Sequence, residues 1–414
     1  MKIAIIGSGI SGLVCAHLLA PQHKVTLFEA NDYLGGHTAT KTVSLQGQEW
    51  NIDTGFIVFN DRTYPNFQKL LHRLGVPYQP TEMSFSVSNE ATGLVYNGHS
   101  FSTLFAQTRN WFNPRFYSLL SEILAFNKRC KQYAAQGIPD LTLGEFLKQQ
   151  SFSRYFAENY ILPMGAAIWS ASLGEIEAFP LRFFIQFFNN HGLLNVNDRP
   201  QWYTITGGSQ AYIPYLLKDR AVTIRLSTPV QSIQRTEQGV QISSQQGMET
   251  FDEVILACHS DQALSLLSDA NSLEREVLGA IPYRLNEVVL HHDERLLPAI
   301  KKASASWNYH LSGAKDKPAS VTYSMNILQC LPKHAPEFCV TLNNTSRIDP
   351  TKILGQYAYS HPVYSQSMVA AQARRTQICG QQHTHFCGAY WYNGFHEDGV
   401  RSALDVCQRL GVTL

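Results

Sequence analysis

Residues 3–6 of this 414-residue chain, Ile-Ala-Ile-Ile, run directly into Gly7-Ser8-Gly9-Ile10-Ser11-Gly12. The four apolar residues read as a strand buried on both faces. Residues 10–20 carry an apolar stripe at Leu13, Ala16, Leu19 and Ala20, which predicts a helix. Val25 to Phe28 predicts a second buried strand, closed by Glu29, 17 residues after Gly12. Glycines on a strand-to-helix turn inside such a βαβ unit confine the N-terminal region to an α/β fold that binds a dinucleotide. Gly7 permits the tight turn. Gly9 lets the backbone approach a pyrophosphate, and Gly12 lets the helix pack closely on the strand. The helix start offers unpaired amides to the phosphates. Glu29 stands where an acid meets a ribose diol, and its charge disfavours a 2′-phosphate.

Composition narrows the partners. The formal net charge is +1 and no basic block occurs, which argues against nucleic-acid binding. No apolar run reaches membrane-spanning length. The first strand starts at Lys2, so no secretory leader is expected before it. The eight cysteines form no CxxC pair, which predicts free thiols and a cytoplasmic setting. Aromatic residues are abundant, with 22 Phe, 19 Tyr and 6 Trp, and suit either an apolar ligand cavity or simply an aromatic core.

A second glycine pair, Gly35-Gly36-His37, follows the acid, and "WNIDTGFIVFN" (50–60) places Gly55 and Phe56 where the chain can pass under a flat ring. With the GxGxxG turn and the Glu29-Ala30 strand end, these stretches resemble the flavin-containing amine oxidase and phytoene desaturase superfamily. "FCGAYWYNGFHEDGVRSALDVCQRLG" (386–411) resembles that family's last motif, a strand, a glycine and a helix meeting the flavin. The resemblance implies a Rossmann-like FAD-binding domain of the GR2 type with an inserted α+β substrate domain. It implies FAD held by Gly7, Gly9, Ser11, Gly12, Glu29, Ala30, Gly36, His37, Gly55, Phe56, Val230, Gly388, Ala389, Gly399 and Val400. The closing helix is expected at about 399–410, with the Gly399 and Val400 amides and the helix dipole facing the flavin N1 and C2 carbonyl. His37 and Ala389 stand where the family often has arginine and an acid.

A narrower resemblance rests on "PMGAAIWSASLGEI", "FFNNHGLL", "ITGGSQAY" and "SASWNYH". These are similar to a bacterial subgroup of FAD-binding oxidoreductases associated with cyclopropane-fatty-acid-synthase-like methyltransferases. It implies a fatty acyl substrate and a lipid methyltransferase partner. The nucleotide domain is expected to be discontinuous, at 1–62, 205–285 and 370–414, with 63–204 and 286–369 building the substrate domain. Met164, Trp169, Tyr323 and Asn326 are candidate substrate contacts. Trp391, Tyr392 and His396 are candidate catalytic residues, the first two as aromatic walls and His396 as an acid or base.

No metal site is expected, because His291-His292-Asp293-Glu294 has consecutive spacing and His383 and His385 lack a third ligand. The 109–131 segment mixes Arg109, Arg115, Lys128, Arg129 and Lys131 with Trp111, Phe112 and Phe116. It suits a helix lying on a membrane surface or one docked on its own domain. The expected reaction is hydride transfer from a long apolar, fatty acyl substrate to flavin N5 in a desaturase or oxidase. Amine oxidation, flavin-dependent isomerisation of fatty acids and a nonenzymatic flavin-binding role remain as alternatives.

Overall fold

The computed structural model describes residues 1–169, 171–195, 198–311 and 320–414. A five-stranded parallel sheet carries the N-terminal motif, in the order Val222–Arg225, Lys24–Phe28, Lys2–Ile6, Glu253–Leu256, Thr384–Phe386. Ile5 sits between Leu27 and Ile255 in register. Ile3, Ile5, Leu27 and Ile255 are fully or almost fully buried, as expected of central parallel strands covered on both faces. The opening helix, Ile10–Leu19, is buried along its whole length, including His17. It is therefore an internal helix, clamped between the sheet and the closing helix, His396–Arg409.

A three-stranded antiparallel sheet, Val230–Thr236, Gly239–Ser244 and Gly247–Phe251, leads into the strand Glu253–Leu256. Its Arg235 is buried and pairs with buried Glu274 and with Asp269, 2.9 Å away. This ties the sheet to the helix Ser272–Gly279.

The second large sheet has seven strands and mixed direction. Its order is Ile353–Pro362, Tyr283–His291, Cys339–Leu342, Ser320–Ser324, Trp307–Leu311, Phe85–Asn89, Leu94–Asn97. Only the Trp307–Leu311 and Phe85–Asn89 pair is parallel. The described residues between 101 and 190 form mainly helices, and their core is aromatic: Phe116, Phe126, Phe146, Phe156, Phe184 and Phe188 are all buried. The sequence predicts a helix over 114–135 with Pro114 near its first turn and an apolar stripe at Phe116, Leu119, Leu120, Ile123 and Leu124. The long helix runs Pro114–Gln136, starting at the proline with Asn113 capping it. Phe116 and Leu119 of the stripe are buried, Leu120 and Ile123 half-buried, and Leu124 exposed.

Candidate functional site

The opening turn is built for a ligand at one glycine and for packing at another. A methyl group placed on Gly12 would lie 2.0 Å from the Gly7 carbonyl oxygen, so the helix seats directly on the turn. A methyl group on Gly9 would meet no protein atom within 4 Å. Gly9 caps the opening helix without a side chain. Among the described residues, the amides of Ile10, Ser11 and Gly12 have no hydrogen-bond acceptor, and the first helical bond runs from Leu13 to the Gly9 carbonyl, 3.0 Å. Three free amides and a positive helix end thus face space that only glycine leaves open.

Glu29 is buried at the end of its strand. Its oxygens accept from the Ser8 amide (2.9 Å) and hydroxyl (2.5 Å) and from the Asn31 amide and side chain (2.9 Å each). Ser8 Oγ and Asn31 Nδ2 are the donors able to rotate away for a ribose diol. Ala30, next in sequence, is exposed. Gly36, at φ 56°, brings the second glycine pair against Gly9: a methyl on it would lie 3.3 Å from the Gly9 Cα. Val230 is half-buried at the start of its strand.

Ser11, Gly388 and Gly399 converge. Ser11 Oγ donates to the Gly399 carbonyl (2.9 Å), and Ser402 Oγ accepts from the Gly388 amide (2.9 Å). Gly388, at φ 156°, and Ala389 follow the last parallel strand. The closing helix begins three residues earlier than expected. The Gly399 amide is spent on the Phe395 carbonyl, 3.1 Å, and Val400 lies further inside the helix. Gly399 instead allows close helix packing, since a methyl there would lie 2.6 Å from Ile10 Cγ2. Among the described residues, the amides without an acceptor at this helix start are those of His396 and Glu397.

The three candidate catalytic side chains have other engagements. The His396 ring stacks on Phe56 (3.7 Å, 8°), and its Nε2 bonds the Tyr212 hydroxyl (2.8 Å), which bonds Thr38 (2.7 Å). Burial, helped by nearby His37, pushes its pKa down to about 3, so the ring is neutral and fixed rather than poised to carry a proton. Trp391 lies under the guanidinium of Arg375. Tyr392 donates to Asp405 (2.6 Å) beneath Arg401.

His37 occupies the seam between the two large sheets. Its carbonyl accepts the Phe56 amide (2.8 Å), and a methyl on Gly55 would lie 2.1 Å from that oxygen. Its ring lies 5.3 Å from Tyr359, 5.5 Å from His361 and 5.9 Å from His259. Burial and the two other histidines lower its pKa to about 3, and its Nε2 is buried without a partner. On the far side of His361 is a small cavity walled by Trp169, Phe179 and Tyr364, with Glu175 and Arg284 at its polar end. Arg284 and Glu175 form a bidentate pair. Trp169 is also ringed by Phe183 and Phe187, with its Nε1 unpartnered. Met164 is half-buried on the same helix, Leu162–Trp169.

The structure does not bring the other two substrate candidates here. Asn326 bonds the Pro336 carbonyl (2.9 Å) and the Phe338 amide (2.8 Å), pinning a turn. Tyr323 packs edge-on against Trp307. Sequence reasoning missed Asp53, which accepts from Thr40 (2.6 Å) and from the Ser209 amide and hydroxyl. Asp53 joins the "DTG" and "GGSQ" stretches, a partnership between residues 156 positions apart that is visible only in the folded chain. Among the described residues, no His, Cys, Asp and Glu group is arranged to hold a metal ion.

A family model for flavin containing amine oxidoreductases matches residues 10–291, which include the opening helix, Glu29, His37 and Val230. The chain belongs to the flavin containing amine oxidoreductase family. The L-amino-acid oxidase of Siganus canaliculatus is 23% identical over 349 residues, covering 78% of this chain and 61% of the relative. The chain thus spans about three-fifths of that relative's length. Cyclohexylamine oxidase from Brevibacterium oxydans IH-35A shares the fold at a TM-score of 0.69, with 15% identity over 99% of both chains. The CLA-producing fatty acid isomerase from P. acnes shares it at 0.69, with 16% identity over 98% of both.

FAD is the cofactor of this family, and the residues here fit it. The open space above Gly9 and the free amides of Ile10, Ser11 and Gly12 suit the pyrophosphate. Glu29 suits the ribose. The His37 Nε2 and the amides of His396 and Glu397, without partners among the described residues, would be open to the rest of the cofactor.

Proposed function

We propose that this family member is an FAD-dependent oxidoreductase that oxidises a long apolar substrate, with a fatty acyl chain as its class. Bound FAD supplies a two-electron acceptor. The single observation behind the reading is the wall beside His361. Trp169, Phe179 and Tyr364 present apolar faces, and the one acid there, Glu175, is already neutralised by Arg284. An amine cation favours an unpaired carboxylate or an aromatic cage open to it. A hydrocarbon needs desolvated walls that hold it and exclude water, with little acid–base assistance. In this reading Trp169 and Phe179 flank the chain and exclude water, and Arg284 stays paired with Glu175.

Amine or amino-acid oxidation is the second reading, favoured by the identity to the L-amino-acid oxidase. The test is anaerobic mixing of the FAD-loaded protein with fatty acids or with amines, followed by the visible spectrum and mass spectrometry of the products. Bleaching with a fatty acid and a loss of two mass units support oxidation of an acyl chain. Bleaching with amines alone supports the second reading. A fatty acid product of unchanged mass means isomerisation and rules out net oxidation.

A further inference from the structure

The helical region presents an aromatic surface that its own core does not use. Phe112 is 85% exposed, Phe101 68%, Tyr117 46% and Trp111 45%. Three of them form one patch. Phe101 and Trp111 lie 5.6 Å apart, both touch buried Phe105, and the Tyr117 hydroxyl donates to the Trp111 carbonyl (3.0 Å). Phe112, the most exposed of the four, follows Trp111 directly in the chain. Scattered exposed aromatics need no explanation, but a contiguous cluster does.

The segment that carries the patch is rich in cations. Between residues 101 and 131 the basic residues are Arg109, Arg115, Lys128, Arg129 and Lys131, and the sole acid is Glu122. Glu122 is occupied by the Ser153 amide and hydroxyl at 2.7 Å each. Along this segment the cations outnumber the acid five to one, and at its far end Lys128 and Lys131 share a groove with Asp198. Arg109 and Arg115 flank the aromatic tip, and Tyr117, Leu124, Lys128 and Lys131 continue along the exposed side of the helix Pro114–Gln136. Aromatic side chains that bury their rings at headgroup depth, edged by cations, match an anionic bilayer surface. Among the described residues, no helix is long and apolar enough to cross a membrane, so the contact is peripheral.

We propose that the face formed by Phe101, Trp111, Phe112 and Tyr117, with Arg109 and Arg115, docks this protein on an anionic lipid surface. The proposal does not depend on the substrate, because docking is read without turnover.

The test is cosedimentation of the FAD-loaded full chain with phosphatidylglycerol vesicles and with phosphatidylcholine vesicles, at low and high salt. Expected is binding to the anionic vesicles that weakens about tenfold or more on zwitterionic lipid or at high salt. The double variant Trp111→Ser/Phe112→Ser should lose about tenfold or more in vesicle affinity while keeping the flavin spectrum and melting temperature. Arg109→Gln/Arg115→Gln should reduce binding to phosphatidylglycerol selectively. Failure of the wild type to bind either vesicle, or undiminished binding by the aromatic variant, overturns the proposal. So does a wild-type dimer in solution that the aromatic variant turns into a monomer, because a second copy would then be the occupant of the patch.

Discussion

Gly9 and Gly12 are two letters of one motif with separable physical duties. At Gly12 an added methyl collides with the Gly7 carbonyl, a backbone atom that cannot move without disturbing the turn. Gly12→Ala should therefore destabilise the fold by about 3 kcal/mol, measured by denaturant unfolding. At Gly9 the backbone is ordinary (φ −61°) and the methyl meets no protein atom. Gly9→Ala should leave the stability of the FAD-free protein within about 1 kcal/mol of wild type. Titration with FAD should show its affinity falling at least about tenfold, which at 25 °C is about 1.4 kcal/mol. Equal effects of the two variants on folding would contradict this division. His396 makes a related point. A histidine three residues from a flavin-motif glycine suggests acid–base chemistry, yet stacking on Phe56 and the bond to Tyr212 make it a neutral strut.

The elements show why the closing helix begins early. Its first turn carries Glu397 and Asp398. Asp398 accepts the Phe395 amide (2.9 Å) and satisfies its own helix end. Glu397 does the same for a different helix, Pro65–Leu74, accepting the amides of Asn66 (3.1 Å) and Phe67 (2.8 Å). That helix has no side-chain cap of its own from Tyr64. A carboxylate at a helix start satisfies orphan amides and opposes the positive dipole end. Glu397→Ala should cost about 2 kcal/mol, because the cap and a charge-assisted bond are lost together. Hydrogen exchange should locate the loss, with protection falling in residues 65–74, over three hundred positions away in sequence. If only the closing helix loosened, this capping role would be wrong.

At the scale of the whole molecule, buried titrating groups set the pH range of stability. Burial lowers His37 and His396 to about 3, and His191, His291 and His361 to about 4. Each contributes stability above the unfolded value of 6.5 and loses it as pH falls toward the folded value. Burial raises Asp53 to about 6 and Asp398 to about 7, above the unfolded 3.8. Their contribution runs the other way: it is complete below 3.8 and lost as pH rises through 6 to 7. Between pH 6 and 4 these five histidines outnumber the two aspartates, so this set takes up protons on unfolding and stability falls with acidity. Each unmatched proton is worth about 1.4 kcal/mol per pH unit. Thermal unfolding across this range should show the midpoint dropping steadily, and a flat or rising midpoint would refute the assignment. FAD that binds the folded chain and not the unfolded one should raise the midpoint at any pH. The gain is about 2.7 kcal/mol at a hundred times its Kd.

Local patterning was enough to read the βαβ unit, its glycine turn, Glu29 and the long helix at Pro114. In each, the decisive physics lies within a few residues: continuous apolar runs, a required turn, a proline at a helix start. The family and its cofactor came from a resemblance that also needed the Gly35-Gly36 pair, the Asp53-Thr54-Gly55 stretch and the closing motif at 386–411. The neutral state of His396, the pinning of Asn326, the Asp53–Ser209 tie and the reach of Glu397 to another helix could not be read that way. Each rests on a partner 10 to 331 residues distant. Side-chain chemistry depends on what burial removes and which donor comes near. Only packing of the parallel sheet, the seven-stranded sheet and the closing helix around His37 decides those two things.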